Sequence, residues 1–301
     1  MNLQVLLDGL VEGSLLALGA AGVTLTYGTL RFGNFAHGEL VSVGAYLALL
    51  VACAIGALLP DSLMAADGFT ATPALLVGFL SGAALTGLVA VAIDRLVYRP
   101  LRDRGAAMAV SMASFGVSMA LRAALEVGFS ARPRYYSDEL SIAWDLGFAR
   151  IAPDRVLVGA WSVLIFAALG LFLTRSRTGR EMRAVGENRQ LAEVVGIDVR
   201  RVLRMTWLIG GGLAGAAGVG IGLLVQIRPS MGAEVLLPLF AAAIVGGLGS
   251  LRGALAGGLL IGWGEAVAVA YVGAEWRAAV SFTLLVLVLL LRPTGLFGRR
   301  E

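Results

Sequence analysis

Nine apolar runs divide the sequence, at 3–30, 38–59, 74–94, 106–128, 156–173, 205–226, 233–249, 252–271 and 277–291, with short, arginine-bearing connections between them. About 20 helical residues cross the hydrocarbon of a bilayer, so most of these runs can span one. Within lipid each backbone amide must be satisfied internally, which continuous apolar runs achieve as helices. The expected fold is all-α: a polytopic transmembrane helical bundle of about 8–9 crossings, a single transmembrane domain over residues 1–301. The composition agrees, since 58% apolar and 15% charged residues is a balance that no water-soluble core of 301 residues needs. The run at 233–249 and the region around Asn34 are short or broken enough to be re-entrant, which leaves the count between eight and nine.

Arginine sets the orientation. Arg95, Arg99, Arg102 and Arg104 follow the third run, eight arginines lie between Arg175 and Arg204, and Arg292, Arg299 and Arg300 come last. Short loops rich in positive charge stay cytoplasmic, so alternation puts the C-terminus inside and the N-terminus outside. The connection before residue 153 carries Arg132, Arg134, Arg150, Asp138, Glu139, Asp145, Trp144 and two tyrosines, which suits an outer loop; PDSLMAADGFTATP at 60–73 reads as a loop as well. The opening MNLQVLLDGL has neither the basic stretch nor the cleavage site of a signal peptide, so the first run is expected to be retained.

All 24 basic residues are arginine. A phosphate-binding P-loop and Schiff-base chemistry both need lysine, so this chain is expected neither to hydrolyse ATP nor to be an enzyme. One histidine, His37, and one cysteine, Cys53, cannot make a disulfide within the chain, a zinc site or a multi-histidine relay. No catalytic residue, metal or cofactor is expected, and Cys53 is expected to pack in its apolar run.

The most polar stretch is Thr178–Arg201, inside a loop at 174–204. Thr178 and Glu181 have the spacing of a capping box, which predicts a short helix through Met182 and Val185 ending at Gly186. A second helix opening at Asn188 puts Leu191, Val194 and Val195 on one face and Arg189, Gln190 and Glu193 on the other, until Gly196 stops it. The pattern suits either a docking ridge or an amphipathic helix lying on the membrane or under its own bundle.

Two glycine-rich strings break the apolar pattern: NFAHGE at 34–39 and IVGGLGSLRGALAGG at 244–258. Close helix packing explains them, with Gly253 and Gly257 at GxxxG spacing. The functional alternative is unwound backbone lining a translocation path, with Asn34, His37, Gly246, Gly247, Gly249, Ser250 and Glu265 as candidate path residues. Among charges inside runs, Arg122 and Glu126 can neutralise each other at i, i+4, Glu39 and His37 suit a helix start, and Glu265 must face protein.

GSLLALGAAGVTLTYG (13–28), NFAHGE (34–39), RAVGENRQLAEVVGIDV (183–199), IVGGLGSLRGALAGGLLIG (244–262) and RPTGLFGR (292–299), in this order, resemble the permease subunits of the branched-chain amino acid ABC importers, the shorter of the two permease types. The resemblance implies a heterodimer with a second permease in the bacterial inner membrane, two cytoplasmic ABC ATPases, and a periplasmic binding protein delivering Leu, Ile, Val or a small amide or urea. It implies that 183–199 is the cytoplasmic coupling segment, with Leu191, Val194, Val195 and Ile197 entering a groove on the ATPase and Arg183 and Arg189 pairing with acidic groups at its rim. The path is then expected to carry apolar and small side chains with few fixed charges. The alternative is an ion-coupled secondary transporter, for which paired acids near the midplane are expected and Glu265 qualifies best.

Overall fold

In a computed structural model, residues 3–57, 73–105, 107–136, 143–145 and 150–298 are described. Most of the 60–73 loop, Asp138, Glu139, Arg299 and Arg300 lie outside them. The long helices are α1 (Leu3–Leu30), α2 (His37–Gly56), α3 (Pro73–Asp103), α4 (Ala107–Phe129) and α5 (Pro153–Arg175) in the first part of the chain. Two short helices follow, α6 (Arg177–Glu187) and α7 (Arg189–Val194), then α8 (Val199–Leu224), α9 (Met231–Gly246), α10 (Leu251–Tyr271) and α11 (Arg277–Leu291). Among the described residues, 8 helical segments are long and apolar enough to cross a membrane, and α9 is an apolar helix of 16 residues. The all-α polytopic bundle expected from the apolar runs is thus the observed fold. Between α4 and α5 a two-stranded ribbon pairs Trp144 with Ile151 and Asp145 with Arg150.

The inner layer is built on glycine. α1 lies along α10, where a Cβ on Gly258 would fall 2.4 Å from the Cα of Ala17 and one on Gly262 would fall 2.2 Å from the Cα of Gly13. α8 lies in the same manner along α3, with Gly211 and Gly215 against Thr86, Gly87 and Ala83. Such approach is open to residues without a side chain and brings backbones into van der Waals contact.

The two breaks in this layer share one plan. Six residues, 31–36, separate α1 from α2, and six, 225–230, separate α8 from α9. α2 and α9 each start with a glycine as second residue, and the two glycines meet: a Cβ on Gly38 would lie 2.4 Å from the Gly232 carbonyl oxygen, and one on Gly232 would lie 2.3 Å from that of Gly38. Ser42 Oγ accepts from Gly232 N at 2.8 Å. Gly22 of α1 approaches the Gly210 carbonyl and Leu15 approaches Gly220, so α1 and α8 run antiparallel and the pairs α1–α2 and α8–α9 are placed as inverted counterparts, an arrangement used by transporters with sites at repeat interfaces. No internal repeat was expected from the sequence. The traces that could have shown it are the equal six-residue breaks and the start patterns His37-Gly38-Glu39 and Met231-Gly232-Ala233-Glu234.

Cys53 departs from expectation: it is exposed, on the outer surface of the bundle. The helix there presents its flank outward, so an apolar run does not ensure burial within the chain.

Candidate functional site

Two places carry the candidate residues: the polar hairpin α6–α7 and the junction of the two helix breaks.

The hairpin is seated firmly. Met182, Val185 and Ala192 are buried with Val199, Val202 and Leu203 in a small core of their own, flanked by Leu25, Leu30, Phe172 and Leu173. Gly186 allows the Gly28 carbonyl to approach, and Arg31 Nη2 donates to Gly186 O at 2.8 Å, tying the end of α1 to the hairpin. The start of α6 differs from the expected capping box. Ser176, not Thr178, is the N-cap, accepting from Gly179 N at 2.9 Å, and Glu181 pairs with Arg177 at 2.9 Å. The turn begins two residues earlier because α5 ends at Arg175 and Ser176 is already extended (ψ 154°), the conformation an N-cap needs. Gly186 does not end α6 either, which continues to Glu187. Asn188 caps α7 as expected, accepting from Leu191 N at 3.0 Å, and Gly196 follows at φ +84°.

Among the charged and polar residues that the hairpin exposes stand three apolar ones. Leu191 is 58% exposed, Val194 82% and Val195 67%. Ile197, by contrast, turns toward the hairpin's own core. Arg183 is exposed, and Arg189 pairs with Glu193 of its own helix at 3.2 Å. Leu191, Val194 and Val195 thus form an exposed ridge, with Ile197 half-buried beside it, on a base fixed by buried contacts.

At the junction, His37 Nε2 donates to Gly19 O at 3.0 Å. Gly19 lies eleven residues before the end of α1, about 16 Å along the axis at 1.5 Å per residue. Residues 31–36 therefore turn back into the bundle, as the broken pattern around Asn34 suggested. Asn34 is buried and organises the turn: its Oδ1 accepts from Ala36 N at 3.2 Å and from Tyr98 OH at 3.1 Å. Tyr98 belongs to a π-helical turn, Asp94–Tyr98, and meets Phe32 edge-on (5.6 Å) and Trp207 at a tilt (5.3 Å). π-turns of this kind displace a side chain from the regular helical register, here toward the break.

The second glycine string sits elsewhere. Gly247 (φ +102°) and Gly249 (φ +89°) unwind the backbone after α9, as expected, but the C-terminal RPTGLFGR segment occupies it. Leu296 N donates to Val245 O at 2.8 Å and Phe297 N to Gly246 O at 2.9 Å. Gly246 packs on Gly253, and Ser250 caps α10 through Gly253 N at 3.1 Å. Here close packing is the observed role, and Gly246, Gly247, Gly249 and Ser250 form a knot near Gly28 at the arginine-rich end, apart from the junction.

Glu265 is buried and faces protein, as its mid-run position required; it accepts from Ser281 Oγ on α11, near the Arg277–Glu12 pair. Arg122 and Glu126 pair at 3.0 Å as their spacing implied. Arg228 and Glu234 were not singled out from the sequence, yet they pair at 3.0 Å beside the junction. Their signal was a charge on either side of a Pro-Ser break within an apolar stretch.

The family model for the branched-chain amino acid transport system permease component matches residues 5–289. The chain is 33% identical to the high-affinity branched-chain amino acid transport system permease protein LivH of Salmonella typhimurium, over 99% of this chain and 96% of that one. It is 34% identical to the corresponding permease BraD of Pseudomonas aeruginosa, with the same coverage. A probable branched-chain amino acid transport permease of Methanocaldococcus jannaschii is 30% identical over 98% of this chain and 92% of its own length.

Proposed function

Since the chain belongs to the branched-chain amino acid transport permease family, a family of membrane-spanning ABC-importer permeases and not of enzymes, we infer that it moves Leu, Ile, Val or a closely related small solute inward, through a path it forms with a second permease. Two cytoplasmic ABC ATPases drive the cycle, and a binding protein outside the bacterial inner membrane delivers the solute. The observation that carries this reading is the hairpin α6–α7. Its base is locked to α1, α5 and α8 while Leu191, Val194 and Val195 stand in water, which costs free energy unless a partner covers them.

A rigid handle suits force transfer. ATP holds the ATPases in their closed state only through its higher affinity for that state, and two handles drawn together would tilt the helices to which they are fixed. The Arg31–Gly186 link then carries the movement to the inner break and its His37–Gly19 contact. The secondary-transporter alternative asks for paired acids near the midplane, and Glu265, its best candidate, is engaged by Ser281 Oγ.

The experiment is uptake by the assembled importer in proteoliposomes with a branched-chain amino acid and its binding protein. Uptake is expected to continue when the proton gradient is dissipated while ATP is present, and to stop when ATP is withheld. The reverse result would replace this reading with ion coupling.

A further inference from the structure

On the side of the bundle formed by α4, the first turn of α2 and α9, aromatic rings and charges follow one another along the helix axes. Phe35, at the inner break, stacks on Phe240 of α9 (5.8 Å) and meets Phe115 of α4 edge-on (6.3 Å). Glu234 lies six residues before Phe240 along α9, and Arg122 seven residues beyond Phe115 along α4, about 9 Å and about 10.5 Å along the helix axes. Both belong to ion pairs that stand partly open: Arg122–Glu126, 43% and 44% exposed, and Arg228–Glu234, 35% and 52% exposed. Behind them Glu39 is buried, its Oε2 without a hydrogen-bond partner among the described residues, within electrostatic reach of Arg122 and Glu126.

Depth makes this arrangement informative. Glu234 is two residues from Gly232, which touches Gly38 at the junction deep in the bundle. Partly exposed charges at that level are expelled by lipid, and in membrane proteins they face a wet cavity or a partner. Two complete ion pairs also have a property that isolated charges lack. An ion pair can open and exchange partners with a solute bearing one ammonium and one carboxylate, with no change in net charge at any stage.

We propose that Arg228–Glu234 and Arg122–Glu126, backed by Glu39, form the membrane-level site for the travelling solute, and that they select an α-amino acid zwitterion over an uncharged amide or urea. The ammonium goes to Glu234 or Glu126 and the carboxylate to Arg228 or Arg122. Phe35, Phe115 and Phe240 form the constriction below, wide enough for an aliphatic side chain once the rings part. The proposal rests on the transport reading above and narrows its substrate class.

The test uses the assembled importer in proteoliposomes, on a Cys53→Ala background because Cys53 is exposed. Glu234→Cys and Arg122→Cys are treated with a charged methanethiosulfonate, beside Leu80→Cys and Leu164→Cys, which are also exposed but carry no charge partner. The first two are expected to react at least tenfold faster than the last two. Separately, Glu234→Gln and Glu126→Gln are expected to lower leucine moved per ATP hydrolysed at least tenfold, while ATPase stimulation by the loaded binding protein stays within twofold. A misfolded variant would lose both. Equal labelling at all four cysteines, or unchanged leucine per ATP in both glutamine variants, overturns the site and leaves the transport reading standing. Failure of the unsubstituted importer to move leucine would remove the transport reading itself.

Discussion

A Cβ added at Gly218 would fall 1.9 Å from the carbonyl oxygen of Val41, whereas at Gly159 or Gly128 it would meet nothing within 4 Å. The first glycine belongs to the layer in which α1, α2, α3, α8 and α10 touch through their backbones; the others lie on α5 and α4, helices with broad exposed flanks. Glycine in the first region is a condition for the helices to approach at all. In the second it only weakens the helix, by roughly 0.5–1 kcal/mol relative to alanine. One molecule thus contains a part held by shape alone and a part held loosely, and function should divide along that line.

Gly218→Ala breaks this contrast most directly. Forcing a methyl into a backbone contact costs about 1–3 kcal/mol in an ordinary core and more where neither backbone can retreat. Gly218→Ala, and Gly258→Ala for the same reason, are expected to lose most folded protein after detergent extraction. Gly159→Ala is expected to melt at or above the parent temperature. Thermal unfolding of the purified proteins decides the matter, and equal damage at Gly159 and Gly218 would abolish the distinction.

The hairpin repeats the contrast on a smaller scale, with buried and exposed faces on one short element. Val185→Asp puts a charge into the core shared with Met182 and Val202 and should destabilise the chain by several kcal/mol. Val194→Asp changes a side chain already in water, so its melting should shift by less than about 0.5 kcal/mol. Uptake and co-purification of the ATPases should nevertheless fall at least tenfold with Val194→Asp, as the docking reading requires. Retained uptake would show that the exposed ridge has another purpose.

Much of this was legible before any coordinates. Apolar length gives the bundle, because lipid leaves helices little alternative, and the period of Leu191, Val194 and Val195 gives the ridge. Ile197 escaped the pattern because Gly196, at φ +84°, turns the chain between it and Val195. Glycine strings were ambiguous for a physical reason: absence of a side chain serves both an unwound turn and a tight contact. Asn34 and Gly247 both sit at breaks, and what separates them is the occupant of the freed backbone. At Gly246 it is the C-terminal segment, more than forty residues on; at the break around Asn34 it is Ser114 of α4, whose hydroxyl accepts from Phe35 N at 3.1 Å. Arg228 and Glu234 were passed over because their importance comes from depth, and depth follows from the junction of α2 with α9, which a linear pattern does not contain.

The inner break offers an intermediate test. Tyr98→Phe removes the hydroxyl that Asn34 Oδ1 accepts and keeps the ring packed between Phe32 and Trp207. The loss should be about 0.5–1.5 kcal/mol, since the oxygen retains Ala36 N as a donor. The same change should leave the hairpin's binding to the ATPases unaltered, measured by co-purification. A larger loss of ATPase binding than of thermal stability would mean that the break and the handle are more tightly coupled than their separate cores suggest.

The smallest expected effect tests how α6 begins. If Ser176 caps the helix, Ser176→Ala leaves the amide of Gly179 without its acceptor and costs about 1 kcal/mol, by the usual value of such caps. Thr178 lies inside the first turn, so Thr178→Ala should cost less than about 0.5 kcal/mol and could gain a little from alanine's helix propensity. Hydrogen exchange at the amides of Gly179 and Arg180 reads both changes locally: 1 kcal/mol corresponds to about fivefold faster opening, visible even where global melting does not move. Equal acceleration by the two substitutions would restore Thr178 to the cap and place the joint between α5 and the hairpin two residues further on.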